Sequence, residues 1–187
     1  MTGLQNLSKC IALPQMALMA RNSKKPVLSM LVRSIATEQR IADLGYKLPA
    51  VNPPKGNFVL VKRVGNLLYT AGHLPQPADG DLMLGKVGDD VTIEEGYKAA
   101  QYVGLNILAT VKEEVGDLDK VKNIVKLMGF VNCTDGFAAQ PQVVNGCSDL
   151  FVEIFGEKGQ HSRSAVGTNA LPVNVPVEIE AIIEIEE

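Results

Sequence analysis

Residues 175–185 read VPVEIEAIIEI. From Val177 the stretch alternates. Val177, Ile179, Ala181, Ile183 and Ile185 fall on one side; Glu178, Glu180 and Glu184 fall on the other, and Glu186 continues the acidic side. A period of two over this length is the pattern of a strand with one side in a core and the other facing water or a partner. A sheet built from such strands must bury its apolar side under helices that the rest of the chain supplies.

Residues 92–115 carry the first helix. Thr92 and Glu95 have the spacing of a capping box, and Gly116 is placed as a C-terminal stop. Ala100, Val103, Ile107, Leu108, Val111 and Val115 recur at helical spacing. Gly96 and Gly104 weaken this helix by roughly 1 kcal/mol each relative to Ala, and are expected to permit close packing on a sheet. A second helix follows Pro141, with Val144, Cys147, Phe151, Ile154 and Phe155 as its stripe and Gly156 at its end.

Strands are expected at 58–64 and 67–71, joined by Gly65-Asn66 as a two-residue hairpin turn. Residues 121–133 are apolar on both parities, the pattern of a strand covered on both faces, and 163–171 precedes the last strand. Residues 38–47 form a short amphipathic segment closing at Gly45. Pro49, Pro53, Pro54 and Gly56 make an extended entry, and Pro75, Pro77, Asp79 and Gly80 mark a loop. The expected architecture is α+β, a mixed six-stranded sheet with two helices on one face. The other face is left to solvent or to further copies of the chain.

The chain has 187 residues, 46% hydrophobic and 21% charged, enough for one compact domain and an extension. No apolar run reaches the length of a membrane span. Cys10, Cys133 and Cys147 give neither a disulfide framework nor metal-ligand spacing, and Cys133 and Cys147 read as small buried hydrophobes. His73 and His161 have no HxxxH or CxxC companion, so no metal site is expected. No Walker loop or GxGxxG is present, which disfavours nucleotide-driven or dinucleotide-dependent chemistry. Residues 1–37 hold no acid and five cations (Lys9, Arg21, Lys24, Lys25, Arg33), leaving −8 on the rest of a chain whose total is −3. An acidic body is a poor match for nucleic acid. The basic, Ser-containing segment 1–37 has the composition of a mitochondrial transit peptide. Without that function the chain would be cytoplasmic; residues 38–187 form the domain.

Arg163 is the one basic residue after Lys158, at the entrance of a strand. Its planar fork can grip a carboxylate ligand or pair with a Glu of the last strand.

Three stretches carry a resemblance. RSAVGTNALPVNVPVEIEAI (163–182), GNLLYTAGHLP (65–75) and VVNGCSDLFVEIFG (143–156) resemble the C-terminal signature, the hairpin and the second helix of the RidA family. That family is also called YjgF/YER057c, or the reactive-intermediate deaminases. The resemblance covers about residues 56–186. The longer entry and GFVNCTDGF (129–137) look like a divergent subgroup labelled "endoribonuclease L-PSP" or "translation initiation inhibitor".

The resemblance implies a chorismate-mutase-like fold and a homotrimer whose sheets face inward, with three clefts between subunits. It implies cofactor-free hydrolysis of 2-imino acids, the enamine/imine products of PLP-dependent dehydratases, to 2-keto acids and ammonia. Arg163 matches the arginine that holds the substrate carboxylate, and Glu178 the glutamate that orients water. Gly72 matches the glycine whose backbone meets the imino group, and Asn145 the helix asparagine near the cleft. Phe58 stands where deaminases carry a tyrosine and Ala165 where many carry a cysteine. Ala71-Gly72-His73 replaces Ser-Gly-Gln, with His73 able to supply a polar contact. The competing functions are a non-catalytic carboxylate-binding regulatory trimer, an endoribonuclease or translation inhibitor, and a chorismate mutase.

Overall fold

The computed structural model describes residues 36–187, so the expected targeting segment, but for its last two residues, and Cys10 lie outside the described residues. The elements run α1 (Thr37–Asp43), β1 (Val61–Val64), β2 (Leu67–Thr70), α2 (Ile93–Val115), β3 (Val121–Asn132), α3 (Gln140–Phe155), β4 (Ser162–Thr168) and β5 (Val177–Ile185). Short 3-10 turns sit at Leu118–Lys120, Gly156–Gly159 and Pro172–Asn174. The sheet has the order β1-β2-β5-β3-β4, antiparallel throughout except for the parallel pair β3-β4.

β5 is the centre of this sheet, and its alternation is realised residue by residue. The odd positions Val177 to Ile185 are buried, whereas Glu178, Glu180, Ile182 and Glu184 stay partly exposed. The buried side meets α2 and α3 in one core with Leu68, Leu127, Val131, Leu108 and Phe151. α2 keeps its reciprocal cap: Thr92 N–H donates to Glu95 Oε2 at 2.8 Å and Glu95 N–H to Thr92 Oγ1 at 3.2 Å. Gly116 closes it in the left-handed region, φ +81°. The hairpin turns on Gly65, φ +60°, while Asn66 keeps a negative φ, the pattern of a II′ turn.

Four expectations are corrected. The sheet has five strands: between β2 and α2 only His73 and Val87 touch it, each by an isolated bridge, because Pro75, Pro77, Gly80, Gly85 and Gly88 deny a continuous ladder. The first strand starts at Val61, and Phe58 stays in the bend before it with its ring against Gly56. A third helix, α1, packs on α3, where Arg40 Nε donates to the Glu153 carbonyl at 2.8 Å. Gly104 serves packing on α3 and not on the sheet, since a Cβ there would come 2.8 Å from Leu150 Cδ2.

A fifth correction concerns β3: expected to be covered on both faces, it is buried on one side only. Leu127 and Val131 lie in the core, whereas Met128 and Phe130 on the other side are half-exposed and Val125 is 40% exposed. Tyr69 and Val166 share that outer side at 41% and 46% exposure. The outer face of the sheet therefore carries uncovered apolar side chains beside the glutamates of β5, among the described residues. Among the described residues no helix is long and apolar enough to cross a membrane.

Candidate functional site

Arg163 lies on β4 beside the buried Leu127 of β3, so its side chain turns toward the helices. Pro141, Asn145 and Ser148 are spaced four and three apart on α3 and therefore share one face. Arg163 Nη1 donates to Asn145 Oδ1 and to Ser148 Oγ, both at 2.9 Å, and Nη2 donates to the Pro141 carbonyl at 3.3 Å. Both Nη1 protons are used. Nε–H and one Nη2–H meet no acceptor among the described residues, and these two lie on one edge of the guanidinium plane with the spacing of a carboxylate. No described Asp or Glu pairs with Arg163; on the last strand, Glu184 pairs with Lys122 at 2.9 Å.

Two residues to which the sequence assigned no role beside Arg163, His161 and Ser148, support this cation. His161 Nδ1 sits 2.7 Å from the Gly159 carbonyl and so carries the proton. Its Nε2 then accepts from the Ser148 hydroxyl at 3.0 Å. This turns the Ser148 lone pairs to Arg163. Burial, and then the Arg163 charge, push the His161 pKa down, which keeps the neutral ring this chain of bonds requires. The 141/145/148 spacing was legible, but nothing in the chain said that the face would meet an arginine. Ala165, two residues beyond Arg163 and on the same side, packs its methyl against the core.

Glu178 leaves β5 on the opposite side from Val177 and Ile179. His73 N–H donates to the Ile179 carbonyl at 2.9 Å, and Ile179 N–H returns the bond at 3.2 Å, which brings Gly72 beside Glu178. A Cβ on Gly72 would overlap Glu178 Oε1, so only glycine leaves the carboxyl where it stands. Burial, with Glu180 adding to it, holds the Glu178 carboxyl above the usual carboxylate range. No donor among the described residues reaches it. A half-buried carboxylate whose pKa is raised holds a proton more readily than a free one and can pass it on to a reacting group.

Glu178 and Gly72 line a cavity of about 450 Å³ with His73 and Phe58. Phe58, 51% exposed, sits at its rim and offers no hydroxyl. His73 is buried with both ring nitrogens engaged: Nδ1 with the Ala71 carbonyl at 2.8 Å and Nε2 with Thr110 Oγ1 at 2.9 Å. It ties the sheet to α2 and has no free nitrogen for a ligand. At the cavity wall, Val173 and Asn174 adopt left-handed backbone, φ 49° and 60°.

The structure brings Arg163, Asn145 and Ala165 together, and Glu178, Gly72, His73 and Phe58 together. It does not join the two groups within one chain: they project from opposite sides of the sheet, on strands separated by β3. Cys133 and Cys147 are buried, and burial pushes the Cys147 thiol up, which leaves it inert. Glu38, Asp117 and Asp119 cluster, but Glu38 and Asp119 accept from Leu118 N–H and Thr37 N–H, and Asp117 from Asp119 N–H.

The profile of the family described as "YjgF/chorismate mutase-like, putative endoribonuclease" matches residues 38–184. Protein TCP17 of Trypanosoma cruzi is 41% identical over 143 residues, 76% of this chain and 89% of that protein. The crystal structure of the Agrobacterium tumefaciens protein Atu1372 superposes with a TM-score of 0.74 at 41% identity, covering 81% of this chain and 93% of that one. RidA from an Antarctic Psychrobacter superposes with a TM-score of 0.51 at 25% identity, covering 74% and 96%.

Proposed function

The chain belongs to the YjgF/RidA family, and from the chemistry of its two groups of residues we propose that it hydrolyses 2-imino acids to 2-keto acids and ammonia. The observation that carries this reading is the Arg163 guanidinium. It is fastened on one side by three protein oxygens and open along the Nε/Nη2 edge, with no acid partner among the described residues. Such an edge takes a carboxylate bidentately.

The substrate carboxylate sits on Arg163 of one copy, and C2 comes to rest beside Glu178 of a neighbouring copy. Three copies arranged with their open sheet faces inward would provide such clefts and would cover Tyr69, Phe130 and Val166. A water held by Glu178 adds to C2 of the imine while the carboxylate takes its proton. That proton passes to nitrogen to complete the tetrahedral aminoalcohol; the hydroxyl then gives its own proton through Glu178 to the same nitrogen as the C–N bond breaks, ammonia departs and the carbonyl forms. No electron is gained or lost. Imines of this kind also hydrolyse unaided, so orientation and one proton shuttle are sufficient chemistry for the protein.

The RNA-cleaving label has less support from this chain, because the body carries a net −8. A PLP-dependent dehydratase acting on threonine or serine, followed for keto-acid release with and without this protein, tests the reading. Acceleration that Arg163→Ala abolishes is the expected result. A folded oligomer that accelerates neither this release nor the hydrolysis of imines of larger amino acids would move the assignment to a carboxylate-binding regulator. RNA cleavage that survives Arg163→Ala would dissociate that label from this site.

A further inference from the structure

Resting on the imine-hydrolase reading, we infer that the preferred substrates are 2-imino acids with a large apolar side chain, aromatic or branched, and not those derived from serine, threonine or alanine. The cavity beside Glu178, about 450 Å³, has the volume of one that accepts a drug-sized ligand and far exceeds a methyl or ethyl group. Its walls include Val51, Leu60, Leu74, Leu82 and Val173, and Phe58 stands at the rim.

Of the polar side chains that also line it, Asn106, Gln76, His73 and Thr110 have their donors committed elsewhere, and Asn52 and Lys55 are exposed. Asn106 Nδ2 donates to the Gln76 carbonyl at 2.6 Å and the Tyr102 carbonyl at 2.8 Å. Gln76 Nε2 donates to the Pro77 and Gly80 carbonyls at 3.1 and 2.9 Å. His73 and Thr110 satisfy each other. A hydrogen-bond acceptor entering the cavity would exchange its water for amide donors already paired, an unfavourable exchange. An apolar substituent would lose nothing and would release water from carbon surface.

The backbone at the cavity wall points the same way. Val173 is β-branched, yet it holds φ 49°, ψ 20°, a conformation that such residues avoid. The turn is held there by its neighbours: Gly85 N–H donates to the Asn174 carbonyl at 2.7 Å, and Asn132 Nδ2 donates to Asn174 Oδ1 at 3.1 Å. This strain keeps an isopropyl group, 59% exposed, at the cavity wall. Glycine would adopt the turn freely but would leave no apolar surface.

The test uses the full chain and imines generated in place by an L-amino-acid oxidase from phenylalanine, leucine and alanine, with semicarbazide competing for each imine. We expect kcat/KM for the phenylalanine and leucine imines to exceed that for the alanine imine at least tenfold, the scale that a few buried carbons give. Leu82→Trp, which fills the cavity, should lower the phenylalanine-to-alanine ratio at least threefold. Equal turnover of all three, or faster turnover of the alanine imine, overturns the inference and leaves the hydrolase reading intact. Turnover of none by a folded oligomer overturns both.

Discussion

Gly72→Ala isolates the role of Glu178 without touching its chemistry. The new Cβ would overlap Oε1 and would lie 2.7 Å from Cδ and 2.9 Å from Cγ of Glu178, where ordinary contact begins at 3.4 Å. The whole carboxyl must therefore retreat by the better part of an ångström, with its nearer oxygen moving farthest. Gly72 does not use a positive φ, so alanine adopts its backbone without strain. The displaced group is the far end of a half-exposed side chain, so the fold should lose no more than about 1 kcal/mol. A misplacement of this size at a reacting group lowers rate on the order of 100-fold, equivalent to about 2.7 kcal/mol of transition-state stabilisation. The assay is kcat/KM for an oxidase-generated imine in competition with semicarbazide, read beside thermal unfolding. Adding Glu178→Asp, which withdraws the carboxyl by one methylene, should recover part of the loss, so that the two changes are non-additive. If Gly72→Ala unfolds like the native protein and keeps its rate within about threefold, Glu178 does not handle the water.

Arg163→Ala should leave unfolding within about 1 kcal/mol and reduce kcat/KM roughly 100- to 1,000-fold, measured on the same imine, because two charge-assisted bonds to the carboxylate are lost. Ser148→Ala should raise KM about threefold to tenfold with kcat nearly unchanged, and Ser148→Thr should restore it; an unchanged KM would remove Ser148 and His161 from the support of Arg163. A Glu178 carboxyl raised above 4.5 binds its proton more tightly folded than unfolded. Its contribution to stability is thus present below the unfolded pKa and lost as pH rises through the folded one. Glu178→Gln should accordingly melt higher than the native protein at pH 7, with the difference closing toward pH 4, and the acid limb of kcat/KM should lie above 4.5 in the native protein.

Local patterns carried much of the architecture. The alternation at 177–185, the Thr92/Glu95 cap and the Gly65-Asn66 turn each depend on neighbours in sequence, and each is found where the residues put it. The sixth strand failed because strand pairing is non-local. Val87 does reach Asn132 and Thr134, but the prolines and glycines around it allow a single bridge. Gly104 was legible as a close-packing position, but which surface approaches it depends on how α2 and α3 cross. At the candidate site, motif resemblance singled out Arg163, Glu178, Gly72 and Asn145. It gave no sign of Ser148 or His161, whose contribution arises only when α3 and the segment before β4 meet. Val173 was equally silent, since a left-handed valine has no signature in sequence.

In the proposed oligomer, with the cation and the carboxylate on opposite sides of one sheet, each cleft would be the joint property of two chains. A copy that lacks the arginine still lends a sound glutamate to its neighbour, and a copy that lacks the glutamate still lends its arginine. Two defective alleles can therefore complement each other. When such copies mix at random in equal amounts, about one cleft in four inherits both intact halves, although neither parent alone has any. Impairment at this locus would then follow the combination of alleles in a cell and not the severity of either one.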